Sequence, residues 1–266
     1  MAGRRRHRAR MACPRAPISF AEALQASALI TFLYVASLYL PFNRGHRNSP
    51  QVIRRRLLTL SVLTVALEAY IRHRVPASQI IPLCKHAFAF LVATVLTVLL
   101  YAGHLAAVPL RSVMRFSLHD VEHRHEALRN YVLGPLFEEL CFRRHTILMW
   151  SCHSWQHRVI ISALLFALAH AHHGLSMSTS AVLLQFTFTF LFGIYAATLY
   201  ENAASICAPY AAHVLCNVLE LPNFDAIAHH ARRNLILVLY ALSLVAFGVL
   251  FAPLTALARP HSSASQ

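Results

Sequence analysis

Two adjacent glutamates, Glu138 and Glu139, lie in an apolar stretch of the chain and are its strongest candidates for chemistry. The sequence has only ten acidic residues, so two adjacent ones are unlike the rest of the chain. A carboxylate beside a bilayer-spanning segment is costly unless it is paired or hydrated, which makes such residues functional candidates. Arg143 follows Glu139 by four positions, one helical turn later on the same face. We therefore interpret Glu138 as a reacting carboxylate, supported by Glu139 and Arg143.

Two further pairs with i, i+4 spacing follow in apolar segments, Phe166 with His170 and His213 with Asn217. A carboxylate and an imidazole can hold one water molecule between them and deprotonate it, which is the chemistry expected of Glu138 and His170. A second histidine with an amide can donate hydrogen bonds to a developing oxyanion, which is the role predicted for His213 and Asn217. Together the residues predict a hydrolytic site built from three helices.

Other interpretations remain open for the individual residues. An intramembrane histidine more often makes a helix-packing hydrogen bond than catalyses, so His213 and Asn217 alone could simply join helices. His172 and His173, close to His170, suggest zinc, but the sequence contains no H-E-x-x-H, and His172 lies about 200° around a helix from His170. We therefore predict no metal. Cys141 is a conceivable nucleophile, but its apolar neighbours favour a packing role.

The composition indicates an integral membrane protein. Of the 266 residues, 57% are hydrophobic and 13% charged, and the mean hydropathy is +0.51. Apolar stretches of about twenty residues recur, as in a polytopic helical membrane protein. The formal net charge is +14, but the arginines fall between the apolar segments. This placement predicts contacts with anionic lipid headgroups and argues against nucleic-acid binding.

The sequence predicts an all-α fold, a transmembrane bundle of about eight helices around an intramembrane catalytic cavity. The predicted helices span residues 18–41, 52–71, 84–108, 129–151, 158–173, 177–200, 203–220 and 234–256. We predict a basic cytosolic tail over 1–17, a single transmembrane domain over 18–257, and a polar tail over 258–266.

Three local features add expectations. Gly134-Pro135 is expected to open the helix that carries the glutamates, so that the helix dipole would favour their charge. Residues 111–129 are expected to form an interfacial amphipathic stretch. The six cysteines contain no C-x-x-C pair, which favours reduced thiols.

The motifs Glu138-Glu139-x-x-x-Arg143, Phe166-x-x-x-His170 and His213-x-x-x-Asn217, in this order, resemble those of the type II CaaX prenyl endopeptidases. These are glutamate-dependent intramembrane proteases within the CaaX-protease and bacteriocin-processing superfamily. The stretch from Leu128 to Arg143, with Arg-Asn-Tyr and a proline before the acidic pair, is similar to the eukaryotic branch. So are Phe192-Gly-Ile-Tyr-Ala196 and Leu219-Glu-Leu-Pro222. The resemblance covers residues 128–224, which implies that the transmembrane domain over 18–257 is a single protease domain with its catalytic core at about 128–224.

The resemblance implies an eight-helix fold with a cavity open to the membrane and the cytosol. It implies an endopeptidase of the endoplasmic reticulum membrane, multi-pass, that removes the last three residues from prenylated CaaX proteins such as small GTPases. In this sequence Glu138 and His170 would activate water, and His213 and Asn217 would stabilise the oxyanion. Glu139, Arg143 and Phe166 would support them, without a cofactor. A superfamily protease with a non-prenylated peptide substrate and a non-enzymatic transporter or scaffold are the alternatives.

Overall fold

The computed structural model describes residues 18–75, 83–107, 121–171, 178–221 and 224–258. All regular secondary structure within these ranges is helical, which confirms the predicted all-α class. The predicted basic tail, nearly all of the polar C-terminal tail and most of the stretch 111–129 lie outside the described residues. His172 and His173 also lie outside them.

Most of the helix ends lie within a few residues of the predicted ones. The third predicted segment, 84–108, is divided into two helices. Among the residues that the structure describes, three helices are long and apolar enough to cross a membrane, Phe20–Ser37, Thr179–Ala203 and Arg233–Leu257, and Cys207–Leu219 is a shorter apolar helix. A membrane-spanning helical bundle is thereby confirmed. The α-helices are α1 (Phe20–Ser37), α2 (Pro50–Arg74), α3 (Leu83–Leu100), α4 (Ala102–Ala107), α5 (Val121–Ala127), α6 (Gly134–Glu139), α7 (Thr146–Met149), α8 (Trp155–His170), α9 (Thr179–Ala203), α10 (Cys207–Leu219), α11 (Phe224–Ala228) and α12 (Arg233–Leu257).

Four of the described helices, α1, α2, α8 and α9, begin at serine caps. At each of these positions the serine hydroxyl accepts a hydrogen bond from a backbone N–H in the first turn. Such bonds satisfy donors that a helix start otherwise leaves unpaired, and they fix where each helix begins. The caps are Ser19 for α1, Ser49 for α2, Ser154 for α8 and Ser178 for α9.

The segment that carries the glutamates is one continuous helical run with two π-helical segments, Leu128–Leu133 and Leu140–His145, on either side of α6. The expectation that Gly134-Pro135 opens this helix is therefore wrong, and so is the argument from the helix dipole. The wider π turn accommodates a proline inside a helix, because the N–H of Gly134 bonds to the Arg129 carbonyl five residues back. A Cβ atom at Gly134 would collide with that carbonyl oxygen, which explains the glycine.

Close packing of α8 against α9 positions the helix that ends in His170. Gly193 in α9 makes the approach possible, because a Cβ atom there would lie 2.8 Å from the Cα and 2.9 Å from the Cβ of Ala163. The two helices are also joined by Arg158 and Glu201, whose two nitrogen–oxygen distances are both 2.7 Å. The position of His170 relative to α9 is therefore set by both packing and charge.

A second charged contact fixes the glutamate-bearing run to α2. The Glu68 carboxylate accepts two hydrogen bonds of 2.8 Å from the Arg144 guanidinium and a third of 2.9 Å from Arg72. His145 lies 3.3 Å from the same carboxylate. A bidentate arginine–carboxylate contact fixes orientation as well as distance. The contact between Arg144 and Glu68 therefore holds the second π-helical segment in place.

The cysteines depart in part from the expectation of reduced thiols. Cys152 is disulfide-bonded, so that expectation is wrong for this residue. Cys141 is a buried thiol within the apolar cluster around Phe142 and Phe166, as its packing role requires.

Candidate active site

The Glu138 carboxylate lies between two imidazoles. Its Oε2 atom is 3.8 Å from Nε2 of His170 and 3.7 Å from Nε2 of His213. Glu138 and His170 remain 22% and 24% exposed, whereas His213 is buried. The tertiary structure thus brings together three of the four residues predicted to be catalytic. The separations exceed a direct hydrogen bond and allow one water molecule to bond to two of the groups at once.

The tautomer of a neutral His170 ring is set by its own helix. Nδ1 lies 2.8 Å from the main-chain carbonyl oxygen of Phe166, one turn earlier. A carbonyl oxygen only accepts, so the proton is assigned to Nδ1 and the lone pair of a neutral ring to Nε2. His170 therefore presents an acceptor towards Glu138, which suits the activation of a shared water.

His213 is oriented by the second glutamate. Its Nδ1 atom lies 2.7 Å from Oε1 of Glu139, whose side chain is completely buried. A carboxylate that accepts from Nδ1–H stabilises a positive charge on the imidazole, as in catalytic triads. Once the ring is charged, Nε2 becomes a donor that faces the Glu138 side of the site.

Arg143 offsets the charge of Glu139 in the protein interior. Its Nε atom is 3.1 Å from Oε2 of Glu139, and both side chains are completely buried. The guanidinium also lies over the Phe166 ring, 4.1 Å from the ring centre, and 5.6 Å from the centre of the Phe192 ring. These contacts provide the cation–π environment that a buried guanidinium requires.

Asn217 lies one turn beyond His213 in α10. Its side-chain amide nitrogen donates a 2.9 Å hydrogen bond to the main-chain carbonyl of Asn130, in the first π-helical segment. The amide is therefore anchored by one of its two N–H groups. The second hydrogen is the one required for the predicted contact with an oxyanion.

Two aromatic residues contact the site without having been predicted to do so. The phenol of Tyr34 in α1 interacts with the Glu138 carboxylate, and its ring meets Phe142 edge-on at 5.4 Å. Phe192 lies 5.0 Å from the His213 ring. Nothing in the sequence of its apolar helix distinguishes Tyr34 as a site residue. Phe192 belongs to a stretch that resembles the eukaryotic branch of the family, but the sequence analysis predicted no role for it.

The residues that the structure describes contain no group of three or more histidine, cysteine, aspartate or glutamate side chains arranged to hold a metal ion. The described residues can act as a carboxylate and a histidine that share one water, beside a second histidine that bonds to a carboxylate.

Comparison with known proteins identifies a family model and several relatives, all described as CAAX prenyl proteases or endopeptidases. Residues 124–219 match the family model "Type II CAAX prenyl endopeptidase Rce1-like". The chain is 30% identical over 260 residues to the Homo sapiens protein "CAAX prenyl protease 2", covering 84% of this chain and 78% of that protein. It is 31% identical over 222 residues to "Probable CAAX prenyl protease 2" of Schizosaccharomyces pombe, covering 74% and 80%.

No solved structure matches the chain significantly. The matched segment of the family model contains all three motifs, from the paired glutamates to Asn217, which confirms the resemblance inferred from them. The similarity to the human and yeast proteins extends over most of each chain and reaches well beyond that segment. This chain therefore belongs to the family of Rce1-like type II CAAX prenyl endopeptidases.

Proposed function

We propose that this protein is an intramembrane endopeptidase that removes the C-terminal three residues from prenylated CaaX proteins. Family membership supports the reaction class, and the site supports the chemistry. The observation that carries the proposal is the position of the Glu138 carboxylate, 3.8 Å from the lone-pair nitrogen of His170. A hydrolase needs a carboxylate beside a lone-pair nitrogen to activate water. A transporter or a scaffold does not require that arrangement.

In the proposed reaction, a water molecule donates one hydrogen bond to Glu138 and one to Nε2 of His170. As the water attacks the scissile carbonyl carbon, Glu138 takes its proton as general base. The C–N bond then breaks, and the proton passes to the leaving amine, so that a carboxylic acid and a free tripeptide result. Both groups are partly exposed, so they can meet water and the substrate peptide.

His213 and Asn217 are proposed to stabilise the oxyanion of the tetrahedral intermediate. With its Nδ1 held by the buried Glu139 carboxylate, a protonated His213 would donate from Nε2–H to the oxyanion. Arg143 keeps the buried pair close to neutral and thereby makes the negative charge of Glu139 tolerable. Phe166 supplies both the carbonyl that orients His170 and the ring under Arg143.

The prenyl chain is proposed to deliver the substrate to this site. Each buried CH₂ group of a lipid chain contributes about 0.8 kcal/mol to membrane binding, so the chain brings the scissile bond to the bilayer. We further propose prenylated small GTPases as substrates, a multi-pass location in the endoplasmic reticulum membrane and contacts with anionic lipids. A single protease domain over 18–257, with its core at about 128–224, would follow a basic cytosolic tail.

The test is incubation of membranes containing the protein with a farnesylated CaaX peptide, with tripeptide release measured by mass spectrometry. The same peptide without the prenyl group separates the main proposal from cleavage of ordinary peptides. We expect release from the prenylated peptide, none with Glu138→Gln, and at most slow release from the unmodified peptide. Equal cleavage of both peptides would favour the alternative substrate class, and no cleavage of either would contradict the proposal.

A further inference from the structure

We propose that Arg47, Arg56 and Arg129, here called the arginine cluster, bind the C-terminal carboxylate of the substrate. This inference rests on the proposed function and names how the site recognises the free end of its peptide. The cluster lies where the loop before α2, α2 itself and the first π-helical segment meet. It would distinguish a chain terminus from an internal peptide segment by charge.

The cluster concentrates positive charge in a small space. Arg129 lies within electrostatic range of both Arg47 and Arg56, and Arg56 within range of Arg47. Glu126 is the acidic residue that also acts on Arg129. Because like charges repel more strongly as water is excluded, and Arg56 and Arg129 are partly buried, this arrangement favours an anionic ligand.

Part of the cluster is fixed in position, and part has donor capacity to spare. Arg129 donates from Nη1 to the Arg47 carbonyl at 2.8 Å and to the Asn48 side chain at 3.1 Å. Its Nε donates to the Asn130 side chain at 2.8 Å. Among the residues described, the Nε atom of Arg56 is buried without a hydrogen-bond partner. A carboxylate has the oxygens that such donors need.

The cluster is connected directly to the catalytic residues. Asn130 takes the Arg129 hydrogen bond on its side chain, and its main-chain carbonyl accepts from Asn217. Contacts between Asn130 and Asn217 and between Glu139 and His213 show that the two helical runs are antiparallel neighbours. The direction from Glu139 towards Asn130 is therefore also the direction from His213 towards Asn217.

The separation matches the length of the released tripeptide. Arg129 precedes Glu138 by nine residues, which is at most about 14 Å along a helix and less through the π-helical segment. Three extended residues span about 10 Å. A peptide with its scissile bond at Glu138 thus places its terminal carboxylate within reach of the long Arg129 side chain, provided that it runs along this face.

The experiment measures binding in a protein that cannot turn over. The Glu138→Gln protein, in detergent or nanodiscs, is titrated with a fluorescent farnesylated CaaX peptide bearing either a free carboxylate or a C-terminal amide. We expect the amide to bind about ten- to a hundredfold more weakly, the usual effect of losing hydrogen bonds to a charged group. Binding does not depend on turnover, so this result stands apart from the cleavage test of the proposed function.

Substitutions then assign the effect to the arginines. Arg56→Gln and Arg129→Gln, each added to Glu138→Gln, are expected to bring the carboxylate-to-amide ratio close to one. Arg55→Gln is the matched control, because Arg55 is exposed on the same helix and donates instead to the Phe42 carbonyl. Since both peptides are measured on the same protein, general damage to the fold cancels in the ratio.

Two results would overturn the proposal. One is equal affinity of the starting protein for the two peptides. The other is a carboxylate-to-amide affinity ratio that neither Arg56→Gln nor Arg129→Gln changes. That result would show that the carboxylate binds elsewhere in the molecule and would favour lipid headgroups as the ligands of the cluster. If the ratio collapses with these variants and not with Arg55→Gln, the arginine cluster is the carboxylate site.

Discussion

The Nδ1 atom of His213 lies 2.7 Å from Oε1 of Glu139, and the Glu139 carboxylate is completely buried. The neighbouring carboxylate of Glu138 faces the Nε2 side of the same ring and remains partly exposed. Two adjacent residues with the same side chain thus serve different parts of the site, one partly exposed and one buried. Substitutions at the two positions should therefore have different effects.

Replacement of the exposed glutamate or its histidine should abolish cleavage without unfolding the protein. Glu138→Gln and His170→Ala are each expected to lower kcat by about 10²–10⁴-fold, the range for a general base and its partner. Neither residue belongs to the buried Glu139–Arg143 ion pair, so the melting temperature should change little. Tripeptide release and thermal unfolding in detergent measure the two effects. Activity above about a tenth of wild type in either variant would contradict this role.

Replacement of the buried glutamate should damage both stability and activity. Glu139→Gln leaves Arg143 as an uncompensated buried charge, and loss of one partner of such a pair costs about 3–5 kcal/mol. The double variant Glu139→Gln/Arg143→Met should recover much of the stability but not the activity, since His213 still lacks its carboxylate. Thermal unfolding and kcat are compared for the single and double variants. Full recovery of kcat in the double variant would show that Glu139 has only a structural role.

The proposed oxyanion donors should affect the rate more than the binding of substrate. His213→Ala and Asn217→Ala are expected to lower kcat by about 10²–10³-fold with a small change in KM. A raised KM with an unchanged kcat would instead assign these residues to substrate binding.

The close contact between α8 and α9 should not tolerate a methyl group. A Cβ atom at position 193 would lie 2.8 Å from the main chain of Ala163, so Gly193→Ala is expected to destabilise the protein by about 1–3 kcal/mol and to lower activity by displacing His170. Gly248→Ala is the matched control, since a Cβ atom there has nothing within 4 Å. That variant should be neutral or stabilised by up to about 1 kcal/mol, through helix propensity. Equal melting temperatures for the two variants would contradict the packing argument.

Activity is predicted to require no stoichiometric zinc, because a glutamate and a histidine can activate water without a metal. Metal analysis of purified active protein, with exhaustive treatment by a zinc-selective chelator, checks this expectation. Activity should survive chelation. One zinc per active chain, with activity lost on its removal and restored on its return, would overturn the metal-free mechanism. Inhibition by added zinc would not, since excess metal can occupy the Glu138–His170 water position.

Recurrent apolar stretches were sufficient to predict the all-α membrane fold, and the spacing of polar residues within them was sufficient to select the site residues. Helical periodicity puts residues four positions apart on one face, so Glu139 with Arg143 and Phe166 with His170 could be paired from the sequence alone. The structure does bring these side chains together. Polar groups in apolar helices stand out because the bilayer makes them costly, which is why single residues could be chosen.

The tertiary structure alone decided how the three motifs meet. Local periodicity predicted a helix that opens at Gly134-Pro135, but packing of the run Val121–Met149 against α2 and α10 favours a continuous helix, with the proline absorbed by a π turn. Likewise, no spacing in the sequence indicates that Glu139 and not Glu138 bonds to His213, or that Tyr34 contacts Glu138. These contacts join residues far apart in the chain. They depend on how whole helices rotate and cross, which is fixed by the sum of their packing contacts and not by any local pattern.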